Sequence, residues 1–186
     1  MSTVYCTATS LDGFIATDDH SLDWLLSRRI DEDGPENMGE FLPAIGAQLM
    51  GASTYEWVAR HAGGSPWEYA APTWVLTHRG EELAAGRPSA WAGADLRFAA
   101  ADGDDALRAL HAEAAAAAGG RDVWVVGGGE LVGRLADLDL LDEVVLSYAP
   151  CVLGSGAPLL PRRVELELRA TARNADFVTA RYAVVR

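Results

Sequence analysis

The chain contains no lysine, and all 15 of its basic residues are arginine. That absence excludes Schiff-base lysine chemistry and the Walker phosphate loop, whose lysine reaches the phosphates. Cysteine is scarce too. Cys6 and Cys151 form no CxxC pair and no disulfide framework, and both read as buried reduced thiols. No apolar run approaches the ~20 residues that a membrane-spanning helix needs. The opening MSTVYCTATS lacks the basic segment and apolar stretch of a secretion signal, so a cytoplasmic location is expected. Positive charge is outnumbered: 27 carboxylates oppose 15 arginines, a formal net charge of −12. Such a surface repels nucleic acid and anionic membranes, which leaves a small molecule as the expected partner. An anionic ligand then needs a local arginine, histidine or helix N-terminus to overcome the field.

What is present is an ordinary globular composition, 49% hydrophobic and 23% charged over 186 residues. Residues 1–186 are expected to form one domain. Val4 to Ser10 is β-rich, and Asp12-Gly13 turns the chain into a second short apolar run, Phe14 to Ala16. A short helix is expected around Leu22 to Leu26. Strands follow over Ala47 to Met50, Thr73 to Thr77 and Leu96 to Ala99. Ser53 and Glu56 make an S-x-x-E capping box for a helix after Gly51. Asp104 to Ala118 is the clearest helix, with carboxylates at its start and Gly119-Gly120 as its stop. Val123 to Val126 is a continuous apolar strand, as in a parallel sheet buried on both faces. A helix from Glu130 to about Leu138 and a strand from Glu143 to Ala149 come next. The chain closes on two runs of period 2, Val164 to Arg169 and Phe177 to Val185, with Asn174-Ala175-Asp176 as the turn. Alternating βα units before an antiparallel hairpin imply an α/β fold, a mixed and mostly parallel sheet with helices on both faces.

Two strand-Gly-helix junctions stand out, Leu49-Met50-Gly51-Ala52-Ser53-Thr54 and Val125-Val126-Gly127-Gly128-Gly129-Glu130. A helix N-terminus offers unpaired N–H groups and about half a positive charge, so it suits a phosphate where glycine lets the backbone approach. Glycines that merely permit tight turns give the same pattern. The G-x-G-x-x-G fingerprint of the Rossmann fold is absent from the first βα turn. His111-Ala112-Glu113 and Pro150-Cys151 imitate part of a zinc deaminase signature, but Gly154 stands where the second cysteine is required. No metal site is expected, and His111 reads as a partly buried helix histidine.

Five segments carry a family resemblance: Ser10-Leu11-Asp12-Gly13-Phe14-Ile15-Ala16, Leu49 to Glu56, Trp74-Val75-Leu76-Thr77-His78-Arg79, Val123 to Gly129 and Ala149 to Gly156. In that order and spacing the chain resembles the dihydrofolate reductase-like superfamily. Within it, the chain is similar to the reductase domain at the C-terminus of bacterial bifunctional riboflavin-synthesis proteins and to its stand-alone relatives. The resemblance implies an oxidoreductase using NADPH, with NADH possible, acting on a C=N or C=O of a small pteridine- or aminopyrimidine-like heterocycle. It places the pyrophosphate on Gly127, Gly128, Gly129, Glu130 and Leu131, and further phosphate contacts on Gly51, Ser53 and Thr54. Thr77, His78 and Arg79 would lie against the adenosine end. Asp12 would border nicotinamide and substrate as the candidate proton donor, with an ordered water as the alternative, and Trp24 would line the substrate site. Two positions depart from the family pattern. Ala52 replaces the arginine of its G-R-x-T turn, leaving His78 or Arg79 to meet a 2′-phosphate, and no carboxylate clearly matches the pterin-binding one near Asn37. A non-catalytic nucleotide-binding module that keeps the fold is the alternative. Stand-alone relatives commonly pair, so a homodimer is expected, closing the open edge of the terminal hairpin.

Overall fold

The computed structural model describes residues 1–186. In chain order it contains β1 (Thr3–Thr9), β2 (Phe14–Ala16), α1 (Asp23–Leu26), α2 (Met38–Phe41), β3 (Ile45–Gly51) and α3 (Ala52–His61). There follow β4 (Thr73–Leu76), α4 (Gly80–Ala85), β5 (Leu96–Ala99), α5 (Gly103–Ala117), β6 (Asp122–Gly127) and α6 (Gly129–Asp137). The C-terminal part holds β7 (Glu143–Tyr148), β8 (Ala157–Pro158), β9 (Leu166–Asn174) and β10 (Phe177–Val184). Eight strands form one sheet in the order β5-β4-β3-β6-β1-β7-β10-β9. The pairs from β5 through to β7 are parallel, whereas β10 runs antiparallel to both β7 and β9. The expected mixed, mostly parallel α/β sheet with a C-terminal antiparallel hairpin is the one found.

The strand side chains divide by parity, as a period of two requires. Leu49 of β3 and Trp74 of β4 join the larger core, where Leu107, Leu110 and Ala114 of α5 and Val132 and Leu135 of α6 pack on the sheet. Their neighbours Met50 and Val75 turn to the opposite face and meet Tyr55 of α3, Leu83 of α4 and Trp91. Each buried leucine is worth roughly 1.5–3 kcal/mol of apolar transfer, so α5 and α6 are held chiefly by these stripes. His111 sits on α5 as a half-buried residue hydrogen-bonded to Thr3 Oγ1 at 2.7 Å. Cys6 and Cys151 are free thiols, only half-buried as residues. Burial and the nearby Glu36 push the Cys6 thiol up to about 12, against a smaller opposing effect of Arg181. No helix is long and apolar enough to cross a membrane.

A long segment from Thr17 to Ala44 crosses the face opposite α5 and α6, and its far end is strapped to the β9–β10 hairpin. Arg29 pairs with Asp176, Asp31 N–H donates to the buried Asn174 side chain at 2.8 Å, and Glu36 pairs with Arg181 at 2.7 Å. Arg181 also holds Glu143 of β7 at 2.7 Å. A separate two-stranded ribbon, β2 with β8, brings Phe14 opposite Pro158 and Ala16 opposite Ala157.

Candidate active-site cleft

Both strand-Gly-helix junctions lie at the C-terminal ends of neighbouring interior strands. β3 and β6 are hydrogen-bonded neighbours with Met50 opposite Gly127, so α3 and α6 start side by side. The N-cap residues are Gly51 and Gly128, and neither helix receives a side-chain cap. Their first-turn N–H groups therefore face outward unpaired, each helix adding partial positive charge. The expected Ser53–Glu56 capping box does not form. A capping serine must precede the helix, but α3 already begins at Ala52, so Ser53 lies inside its first turn. Glu56 holds Arg79 at 2.7 Å instead.

A cleft of about 430 Å³ opens over these junctions. Its floor is Gly127, Gly128, Gly129, Ser53 and Thr54, with Thr7 from the end region of β1. A Cβ built on Gly128 would have no atom within 4 Å, so the backbone is bare toward open space there. A Cβ on Gly129 would strike the Pro158 carbonyl oxygen and come within 2.7 Å of that of Leu159. Glycine is thus required for the β8 segment to lie against the start of α6 and wall the cleft. The Gly127–Gly128 peptide is cis. Ile15, Ala16, Leu22, Trp57 and Pro158 supply apolar walls, and His20 and Glu130 are the ionisable side chains that reach it. Arg162 pairs with both Glu130 and Asp137, which offsets the carboxylate at the start of α6. Bare N–H groups, two hydroxyls and a bare glycine backbone fit a pyrophosphate.

The structure gathers Ser53, Thr54, Gly127, Gly128, Gly129 and Glu130 on this cleft. Gly51 contributes as the N-cap of α3. Leu131 is only 7% exposed and belongs to the larger core, so its side chain does not face a ligand. Thr77, His78 and Arg79 occupy a separate open hollow at the ends of β4 and β5, together with Glu82, Phe98 and Ala99. There Thr77 Oγ1 accepts from Arg79 N–H at 3.0 Å, His78 Nε2 lies 3.1 Å from Asp102, and Arg79 is shared between Glu56 and Glu82.

Asp12 is placed otherwise than a proton donor needs. It lies outside the cleft lining, and its carboxylate accepts from Ser10 Oγ at 2.6 Å, Gly154 N–H at 2.7 Å and Leu153 N–H at 3.1 Å. The Ser10 hydroxyl above all, and then those two amides, hold its carboxyl down to about 2. A carboxylate with three donors clips the Asp12-Gly13 turn to the Leu153-Gly154 loop and carries no proton at neutral pH. Trp24 is also absent from the cleft lining. It is half-buried, and its indole Nε1 is buried with no hydrogen-bond partner in the protein.

The lining residues not foreseen as site residues are Thr7, Ile15, Ala16, His20, Leu22, Trp57, Val126, Ala157, Pro158 and Pro161. Trp57 had a signal, since it follows Ser53 by four residues and shares its helix face. His20 had none, because its position depends on a left-handed backbone, φ 60°, in an irregular loop.

A mixed α/β sheet with two uncapped helix N-termini on one cleft defines a protein suited to hold a phosphate-bearing ligand. More specifically, the chain belongs to the RibD C-terminal domain family, which it matches over residues 3–180. It is similar to protein YwjB of Bacillus subtilis (strain 168), 29% identical over 97% of this chain and 96% of that one. Among solved structures it resembles a putative riboflavin biosynthesis protein from Shewanella sp. PV-4, with TM-score 0.79, 24% identity and full coverage of both chains. It also resembles a Thermotoga maritima diaminohydroxyphosphoribosylaminopyrimidine deaminase/5-amino-6-(5-phosphoribosylamino)uracil reductase, with TM-score 0.66 and 15% identity. That likeness covers 99% of this chain and 56% of the larger protein. The fold is the dihydrofolate reductase-like one, and reductases of this family use NAD(P)H.

Proposed function

We propose that this protein is a reductase that binds a nicotinamide dinucleotide across the α3 and α6 junctions and reduces a C=N or C=O of a small heterocycle. The observation that carries the reading is the pair of uncapped helix N-termini on one cleft, in a chain of this family. The cofactor, when bound, supplies a hydride, that is, both electrons. The protein's share is to bind, orient and keep water out. Unpaired N–H groups of α3 and α6 and the Ser53 and Thr54 hydroxyls hold the pyrophosphate. Ile15, Ala16, Leu22 and Trp57 line the drier part of the cleft, where a nicotinamide ring would be shielded. The reduced group needs one proton to complete the balance. Asp12 has none to give at neutral pH, so His20 or solvent supplies it. An aminopyrimidine or a pteridine fits this chemistry.

A non-catalytic nucleotide-binding module is the second reading, favoured by the position of Asp12 away from the cleft. Titration with NADH and NADPH, followed through tryptophan fluorescence with Trp57 on the cleft wall, should show saturable quenching. Oxidation of the cofactor in the presence of an aminopyrimidine riboside or a dihydropteridine then separates the readings. Binding without any turnover selects the module, and absence of binding removes both.

A further inference from the structure

We propose that the cofactor of this protein is NADH rather than NADPH, and that Glu56 is the residue that decides it. The inference rests on the reductase reading and narrows it to one dinucleotide. The family resemblance places the adenosine half of the dinucleotide against Thr77, His78 and Arg79. β6 and β3 end at the two junctions, and the cleft over them is also lined by Thr7 of β1 and Ile15 of β2. The hollow that holds those three residues lies at the ends of β4 and β5, and β4 is the next strand to β3 in the sheet. Neighbouring strands lie about 4.8 Å apart, so the hollow at Thr77, His78 and Arg79 is within reach of a ribose attached to a pyrophosphate at the junctions.

The charge in that hollow has the wrong sign for a 2′-phosphate. Arg79 is its arginine, and both arms of its guanidinium are engaged: one holds Glu56 at 2.7 Å, the other Glu82 at 3.3 Å. Glu81 lines the same hollow, and His78 is paired with Asp102 at 3.1 Å. The first helical residue of α3, Ala52, offers no charge of its own. A phosphate dianion entering here would have to take Arg79 from two carboxylates and would meet Glu81 and Glu82 on the lining. A ribose 2′,3′-diol has the opposite requirement. Its hydroxyls donate, and a carboxylate is the acceptor that suits them. Glu56 therefore acts by neutralising Arg79 from beside the hollow, while Glu81 and Glu82 on its lining offer the acceptors.

The test is the dissociation constant of each dinucleotide by calorimetry at one ionic strength, repeated with ADP-ribose and its 2′-phosphate as fragments without a nicotinamide. A like-charge contact at about 4 Å costs roughly fivefold in affinity per unit charge even at a water-like dielectric, and a 2′-phosphate carries nearly two units. The expected result is that NADH and ADP-ribose bind at least about tenfold more tightly than their 2′-phosphorylated partners. Glu56→Gln should release Arg79 and shrink that ratio about fivefold or more, and Glu82→Gln should shrink it less. Equal or tighter binding of NADPH by the unmodified protein overturns the inference and leaves the reductase reading standing. An unchanged ratio in folded Glu56→Gln overturns the role of Glu56. If no dinucleotide or fragment binds at millimolar concentration, the reductase reading itself falls and the inference with it.

Discussion

Asp12 shows how far the neighbours of a single side chain set its task. Its segment suggested a proton donor, yet its carboxylate is occupied by Ser10, Leu153 and Gly154. Its folded value of about 2 lies below the ordinary 3.8. A lowered carboxylate stabilises the fold fully above its unfolded value, and the effect is lost as pH falls through the folded one. The clip should therefore hold from neutral pH down to about 4 and open between there and about 2. Asp12→Asn should free the Leu153-Gly154 loop at neutral pH and make it sensitive to limited proteolysis. The pH profile of turnover should keep its shape in that variant. A drop of about a hundredfold or more in turnover by a folded Asp12→Asn protein with an intact loop would return the residue to the chemistry.

At the scale of elements, the cleft exists because two βα junctions and one ribbon converge. The start of α6 is tightly constrained, since β8 packs against the missing side chain of Gly129. Gly129→Ala must push backbone against backbone, so it should destabilise by roughly 1–3 kcal/mol. Thermal unfolding followed by circular dichroism checks this, and an unchanged midpoint would show that β8 gives way freely. The long and periodic elements were legible from the sequence. α5 was expected over Asp104 to Ala118 and spans Gly103–Ala117, and β5 was expected over the residues it occupies. α2 and α4, with 4 and 6 residues, were not foreseen, because fewer than two turns cannot display a helical period. The capping box failed for a related reason. Its spacing is local, but whether it forms depends on where the preceding strand stops, which β3 settles by pairing with β4 and β6 as far as Gly51.

Over the whole molecule the sheet is closed at neither edge, and β9 forms one of them. Most of β9 is exposed, Leu168 is 56% exposed, and Val178 on the adjacent β10 is 54% exposed. An open strand edge flanked by apolar side chains favours pairing with another copy. The protein should therefore be a homodimer in solution, and light scattering at micromolar concentration should give about twice 19.8 kDa. A 19.8 kDa particle would count against it. The net charge of −12 does not oppose pairing as such, because salt at physiological strength screens it beyond roughly 8 Å.

The sequence alone determined the alternation of strands and helices, the sheet class, the two glycine junctions and the family resemblance, because these follow from periodicities and short motifs within a few turns of chain. Only the tertiary structure decided which junctions share a cleft, since that depends on strand order, and β3 meets β6 across 70 or more intervening residues. It also decided the charge state and task of the polar candidates. Asp12 is clipped by amides 141 and 142 residues further along, and Arg79 is claimed by Glu56 from a different helix. Electrostatic roles are set by distances of a few ångströms, and a linear sequence does not contain those distances until the chain has folded.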